Sequence, residues 1–253
     1  MPVDVVTCRG TGEPFQGATN MLAHVTALLD TTKFRIVGDV SYPATVGAAG
    51  AAWNICGASE DESVREGIIN LANLIRSTPN TVGVLGYSLG ALVVSGFLEA
   101  KARGEYADCE VAWVGTVANP ARAQDSSIDP QPFGFGVAGQ HGPWPAIPVW
   151  EAANPADVIT SCPSDSPLRT FADGISAFSL ADTGGWTTDL IDRVRTHRWQ
   201  PDDLGSLLHP VATWRLWSTA AAAMEGYTVG GAHTTAYIAG GYLDRLASAI
   251  NAA

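Results

Sequence analysis

The sequence predicts an α/β fold in which helices flank a mostly parallel β-sheet. First, short β-branched and apolar runs alternate with segments of helical periodicity, which is the order that parallel strands and crossover helices produce. Second, Gly-Tyr-Ser-Leu-Gly at residues 86–90 lies between such a run and a helix-forming segment. The composition, 46% hydrophobic and 15% charged over 253 residues, supports one large globular core.

The predicted elements alternate along the chain. Strands are predicted at residues 3–7, 34–40, 81–85, 111–117 and 147–151. Helices are predicted at residues 20–29, after a capping box at Ser63 and Glu66, at residues 91–103, and as one final helix behind the loop of His233. The regular alternation places the carboxyl ends of the strands, and the loops that follow them, at one edge of the sheet.

Residues 163–226 have a different pattern, with helical segments joined by Gly- and Pro-containing turns. We interpret them as a helical lobe inserted in the α/β domain, whose core then comprises residues 1–162 and 227–253. Additional core helices with no part in a functional site are the alternative.

Ser88 is the candidate nucleophile. A serine hydroxyl is weakly nucleophilic, so it must lie at the tip of a tight turn, within reach of a base and of backbone donors; Gly86 and Gly90 leave that space. The N–H of Leu89 is one candidate donor of an oxyanion hole. Thr11, in the turn-rich loop after the first strand, is the second, through its N–H or its hydroxyl. Capping of a helix is the alternative for Thr11.

The candidate acid and base lie later in the chain, in the order Ser, Asp, His that this type of site has. Asp157 follows the strand predicted at 147–151, whereas Asp165 and Asp173 lie further from a strand end. His233 lies in a small-residue loop that opens the last helix. The remaining histidines lack such a context and are interpreted as surface or helix residues: His24, His141, His197 and His209.

Charge and composition exclude other classes of protein. The net charge of −11 and the lack of a basic patch argue against binding to nucleic acid or to an anionic membrane surface. The sequence contains no apolar run of 18 residues, so it predicts no membrane-spanning helix. Residues 1–6 do not have the pattern of a signal peptide. The cysteines are too far apart for a zinc knuckle, and we expect thiols, although their even number permits disulfides. They are Cys8, Cys56, Cys109 and Cys162.

Residues 123–146 are rich in Gly, Pro, Asp and Gln and have no hydrophobic period, but they contain Phe133, Phe135 and Trp144. A long irregular segment in a compact domain is usually functional or mobile. We interpret it as the rim of an apolar cleft; surface elaboration with the aromatic rings packed inward is the alternative.

Six short motifs extend over nearly the whole chain. They are Arg9-Gly10-Thr11-Gly12-Glu13-Pro14, Ser41-Tyr42-Pro43-Ala44, the Ser88 motif with Ala91, Asn119-Pro120-Ala121-Arg122, Asn154-Pro155-Ala156-Asp157 and Ala232-His233. In kind and order they resemble the motifs of mycobacteriophage lysin B proteins, which are cutinase-like serine esterases of the α/β-hydrolase superfamily. The long interval from Asp157 to His233 also resembles lysin B proteins, since compact cutinases keep it short. One departure is Leu89, where the family usually has Gln; the backbone donor is retained.

The resemblance implies hydrolysis of the ester between mycolic acids and arabinogalactan in the mycobacterial cell envelope during phage-mediated host lysis. We further expect a monomer that is made in the host cytoplasm, acts at the envelope on a lipid ester and needs no metal or cofactor. Two alternatives stay open. One is a cutinase or lipase that acts on simpler lipid esters, and the other is a virion-associated protein that binds the envelope at the start of infection.

Overall fold

Five parallel strands form one sheet in the part of the chain that the structure describes. The computed structural model describes residues 2–45, 60–130, 133–166, 168–169 and 230–253. The strands are β1 (Val3–Cys8), β2 (Phe34–Asp39), β3 (Val82–Tyr87), β4 (Val111–Val117) and β5 (Val149–Ala152). They lie side by side in the order β2-β1-β3-β4-β5, and every neighbouring pair is parallel.

Helices cover both faces of this sheet. They are α1 (Met21–Thr26), α2 (Glu60–Arg76), α3 (Leu89–Ala102), α4 (Thr235–Ala239) and α5 (Tyr242–Asn251). Apolar residues of α2 and α3 form one hydrophobic cluster with the sheet, and those of α1 and α5 form another with its opposite face. The predicted fold class, a mostly parallel sheet flanked by helices, is therefore confirmed.

The central strand β3 leads directly to Ser88. Every residue of β3 is buried, as expected for a parallel strand that is covered on both faces. Its last residue is Tyr87 and α3 begins at Leu89, so Ser88 alone connects the two elements.

The predicted helices differ from the structure most at α2 and at the C-terminus, and α1 ends at Thr26 rather than at residue 29. α2 begins at Glu60 rather than at a capping box of Ser63 and Glu66; three acidic residues in its first turn favour the earlier start, and Ser63 donates its hydroxyl to the Thr45 carbonyl from a buried position. The single final helix is instead two helices, because Gly240 and Gly241 separate α4 from α5 and Gly241 has a φ of 69°.

The predicted helical lobe falls almost wholly outside the described residues, which include only 163–166 and 168–169 of it. The division into a core of 1–162 and 227–253 with a lobe at 163–226 therefore stays a prediction. In the part of the chain that the structure describes, no helix is long and apolar enough to cross a membrane.

Three of the four cysteines are described, and each is a buried free thiol: Cys8, Cys109 and Cys162. Cys56 lies outside the described residues. Burial raises the pKa of the Cys8 and Cys109 thiols above their usual range, so both stay protonated.

Candidate active site

The turn at Ser88 is strained and closely packed. Ser88 has φ 53° and ψ −117°, a conformation that costs a residue with a side chain about 1–3 kcal/mol. A Cβ added to Gly90 would lie 1.9 Å from the carbonyl oxygen of Cys8, and one added to Gly86 would lie 2.8 Å from that of Gly90. Only glycine fits at these two positions, and the serine hydroxyl is thereby held at the tip of the turn.

The structure brings Ser88, His233 and Asp157 together in one hydrogen-bonded chain. The Ser88 Oγ lies 2.9 Å from His233 Nε2, and His233 Nδ1 lies 2.8 Å from Asp157 Oδ2. All three residues are buried. A carboxylate at Nδ1 favours the tautomer that carries its proton on Nδ1, and in this tautomer Nε2 is the atom that can accept the serine proton.

Asp157 carries its charge at a site with no solvent exposure, so it needs donors from the protein. Its Oδ1 accepts the Ile159 N–H at 3.1 Å, and its Oδ2 accepts the hydroxyl of Tyr237 at 3.0 Å in addition to the imidazole. Burial raises the pKa of Tyr237 well above its usual value, and the negative charge of Asp157 adds to the effect. The Tyr237 hydroxyl therefore stays protonated and available as a donor.

The backbone around His233 is fixed by side chains from other parts of the fold. Tyr87 donates its hydroxyl to the His233 carbonyl at 2.9 Å, and its ring stacks on the imidazole with 5.5 Å between the ring centroids. The Asn154 side chain donates to the carbonyl of Ala232 at 2.8 Å. The sequence interpretation gave no role to the side chains of Tyr87, Asn154 and Tyr237. The signal that could have identified the two tyrosines is their place in the sequence, because Tyr87 directly precedes Ser88 and Tyr237 follows His233 by four residues.

The two candidate oxyanion donors lie on neighbouring segments. Leu89 is the first residue of α3, and the N–H groups of the first helical turn have no acceptor within the helix. Packing of Gly90 against the Cys8 carbonyl places the loop after β1 beside this turn. In that loop the hydroxyl of Thr11 is buried and has no hydrogen-bond partner among the described residues. Thr11 does not cap a helix, because α1 begins only at Met21.

Arg9 gives the Thr11 loop its shape. Its buried guanidinium donates to the carbonyls of Glu13, Val40 and Tyr42. The Glu13 carboxylate in turn accepts the N–H of Gly10 at 2.8 Å. The loop is therefore held at its two ends, with Thr11 between them.

The rival candidates lie elsewhere. Asp165 is exposed, His24 is exposed on α1, and Asp173, His197 and His209 fall outside the described residues. His141 was predicted to be a surface or helix residue, but it is half-buried and lies outside the helices. Its ring stacks on Trp144, and its Nε2 lies 3.7 Å from a carboxylate oxygen of Glu151. No group of His, Cys, Asp and Glu suited to a metal ion occurs in the described ranges.

The described part of the 123–146 segment packs on the loop that carries Asp157. Val137 donates its N–H to the carbonyl of Ile159, and Phe135 forms an antiparallel bridge with Cys162. Phe133 remains 55% exposed, whereas Trp144 packs against the core cluster of α2 and α3. The interpretation of this segment as the rim of a cleft stays a prediction.

Comparison with known proteins is consistent with this fold. The family model of the PE-PPE domain matches residues 35–129, which include Ser88 but neither Asp157 nor His233. The structure of lysin B from mycobacteriophage D29 is similar over 90% of this chain and 90% of that chain, with 17% identity and a TM-score of 0.50. At this identity the likeness shows a shared fold.

Two other structures overlap with less of the chain. The catalytic core domain of acetyl xylan esterase from Trichoderma reesei is 20% identical, with 70% of this chain and 95% of that chain covered and a TM-score of 0.48. A cutinase-like protein from Cryptococcus sp. is 17% identical, with 70% and 91% covered and a TM-score of 0.40. No curated protein matches the sequence.

Proposed function

We propose that the protein is a serine esterase in which Ser88 is the nucleophile, His233 the general base and Asp157 the residue that orients and stabilises the imidazolium. The observation that carries this proposal is the unbroken hydrogen-bond chain from the strained Ser88 turn to the buried Asp157 carboxylate. Such a chain is the arrangement that makes a serine hydroxyl nucleophilic.

In the first step His233 Nε2 takes the Ser88 proton while Oγ attacks the ester carbonyl carbon. The resulting oxyanion accepts hydrogen bonds from the Leu89 N–H and from Thr11, whose buried hydroxyl has no partner among the described residues. The imidazolium then gives its proton to the departing alcohol as the C–O bond breaks. An acyl group is left on Ser88.

In the second step water attacks the acyl-enzyme, with His233 again taking the proton and returning it to Ser88 as the carboxylic acid departs. No cofactor or metal enters this cycle. His233 Nε2 must carry no proton when it takes the one from Ser88.

The substrate that we propose is the ester between mycolic acids and arabinogalactan, cleaved at the mycobacterial envelope during phage-mediated lysis. Two observations support it: the six motifs arranged as in lysin B proteins, and a fold shared with a lysin B over 90% of the chain. We further propose that the protein acts as a monomer and is made in the host cytoplasm.

The test is release of free mycolic acid from purified mycolyl-arabinogalactan by the wild-type protein, Ser88→Ala and Ser77→Ala. Ser77 is exposed at the end of α2 and serves as a matched control for loss of a serine hydroxyl. We expect release by the wild type and by Ser77→Ala, and a loss of about 10⁴-fold or more in Ser88→Ala.

Three outcomes would redirect the proposal. If short esters are cleaved but no mycolic acid is released, the serine esterase chemistry stands and the substrate is a simpler lipid ester. If Ser88→Ala retains near-full activity on both, Ser88 is not the nucleophile. Presence of the protein in purified virions, with envelope binding by Ser88→Ala, would favour a role at the start of infection.

A further inference from the structure

The carboxylate oxygen that faces His233 has a second donor. Tyr237 in α4 donates its O–H to Asp157 Oδ2 at 3.0 Å, the oxygen that lies 2.8 Å from His233 Nδ1. The same tyrosine oxygen accepts the N–H of Asn154 at 3.1 Å. Tyr237 has no solvent exposure. Its hydroxyl therefore connects the backbone of Asn154, in the loop that carries Asp157, to the carboxylate oxygen that interacts with His233.

We propose that Tyr237 is a positioning residue of the triad, whose O–H determines which oxygen of Asp157 faces His233 and shares the negative charge of that oxygen. This inference rests on the proposed function, because it assigns to Tyr237 an effect on the base of a serine esterase. Since Tyr237 is wholly buried, it acts through Asp157 and not by contact with substrate.

The geometry gives the hydroxyl this role. A carboxylate can rotate about its bond to the Cβ, and one donor alone leaves this rotation poorly defined. Here the Ile159 N–H holds Oδ1 and the Tyr237 O–H holds Oδ2, so the plane of the Asp157 carboxylate is fixed from both sides. His233 Nδ1 consequently meets an oxygen whose direction is already set.

Charge sharing predicts a definite change in the pH profile. When the Tyr237 donor is removed, the imidazole is the one side-chain donor left at Asp157 Oδ2 in the described part of the chain. Because hydrogen bonds to charged groups are stronger than neutral ones, the carboxylate then interacts more strongly with the imidazole. The unshared charge stabilises the imidazolium in the resting enzyme. The acid limb of kcat/KM should therefore move to higher pH in Tyr237→Phe, a change that loss of structural support alone would not cause.

The experiment measures kcat and KM for p-nitrophenyl butyrate between about pH 5 and pH 9. It compares the wild type, Tyr237→Phe, Asp157→Asn, the double variant and Ser88→Ala. Tyr106→Phe is the matched control, because the Tyr106 ring packs on Phe97 and Arg76, outside the chain of hydrogen bonds from Ser88 to Asp157. Thermal unfolding of each variant checks that the fold is retained.

We expect kcat of Tyr237→Phe to fall about tenfold to a hundredfold, as loss of a hydrogen bond to a charged group does, with KM unchanged. Tyr106→Phe should behave as the wild type. In the Asp157→Asn background, Tyr237→Phe should have little further effect on kcat, because the charge that it shares is gone.

Other results would overturn the proposal. An unchanged pH profile and kcat in a folded Tyr237→Phe would do so, as would an equal loss with aspartate or asparagine at position 157. If Tyr237→Phe does not fold, Tyr237→3-fluorotyrosine retains the hydroxyl as a stronger donor and must move the acid limb to lower pH; no movement would refute the inference. Wild-type activity in Ser88→Ala would instead refute the proposed function.

Discussion

Ser88 and Asp157 are held in place by different means. Ser88 owes its position to backbone geometry: β3 ends at Tyr87, α3 begins at Leu89, and glycines at 86 and 90 let α3 approach both β3 and the Cys8 carbonyl of β1. Its φ of 53° accompanies this close packing of backbone segments. The position of Ser88 therefore depends on close approach of backbone to backbone.

Asp157 lies in an irregular loop and depends on side chains that are distant in sequence. Tyr237 donates to its carboxylate, and Arg122 donates to the carbonyl of Thr160, whose N–H donates to the Asp157 carbonyl. The Arg122 guanidinium is fully buried and donates to four carbonyls of the loops on either side of it. Asp157 is thus supported by a hydrogen-bond network, in which the loss of one bond leaves the others in place. A larger side chain in the Ser88 turn would instead clash with the backbone.

The largest effect should come from Gly90→Ala. The new methyl group would lie 1.9 Å from the Cys8 carbonyl oxygen, and since that oxygen belongs to the backbone, α3 must move away from β1. We expect a loss of about 3 kcal/mol or more in the free energy of unfolding and a loss of about a hundredfold or more in kcat/KM.

Urea denaturation and ester hydrolysis measure these two losses. Gly38→Ala is the matched control, because a Cβ added at Gly38 meets nothing within 4 Å. If Gly90→Ala were as stable and as active as Gly38→Ala, the backbone contact at Gly90 would not hold the turn.

A smaller effect is expected from Arg122→Lys. Burial lowers the pKa of the Arg122 guanidinium. A lysine in the same cavity has fewer N–H donors than arginine, so some of the four carbonyls would lose their hydrogen bond. We expect a loss of about 2 kcal/mol in the free energy of unfolding and a fall in kcat of about tenfold as the Asp157 loop loosens.

The matched control for this change is Arg103→Lys, because Arg103 is exposed and its ion pair with Glu105 should contribute little. Steady-state kinetics and urea denaturation compare the two variants. Equal stability and activity of Arg122→Lys and Arg103→Lys would show that Arg122 does not hold the Asp157 loop in place.

The same contrast explains what the sequence could predict. Alternating strand and helix patterns were enough for the parallel sheet, because each pattern is local. The Ser88 turn was recognisable because its glycines are its neighbours, and Asp157 and His233 could be singled out because chain order and strand ends restrict where an acid and a base can lie.

The supporting contacts could not be predicted in this way. The tyrosine that contacts Asp157 is 80 residues away in sequence, and the one that contacts the His233 carbonyl is 146 residues away. Only the folded chain brings these hydroxyls to their acceptors. The start of α2 at Glu60 and the break at Gly240 and Gly241 were missed because helix ends respond to packing as well as to capping patterns.

The most direct test of the central claim is reaction of the protein with a fluorophosphonate, followed by peptide mass spectrometry. Attack of the Ser88 oxygen on phosphorus expels fluoride and leaves a stable covalent adduct. We predict that one phosphonyl group appears on Ser88 as esterase activity is lost, that Ser88→Ala takes up none, and that His233→Ala reacts far more slowly. Loss of activity with Ser88 unmodified, or with the group on another residue, would contradict the assignment of Ser88 as the nucleophile.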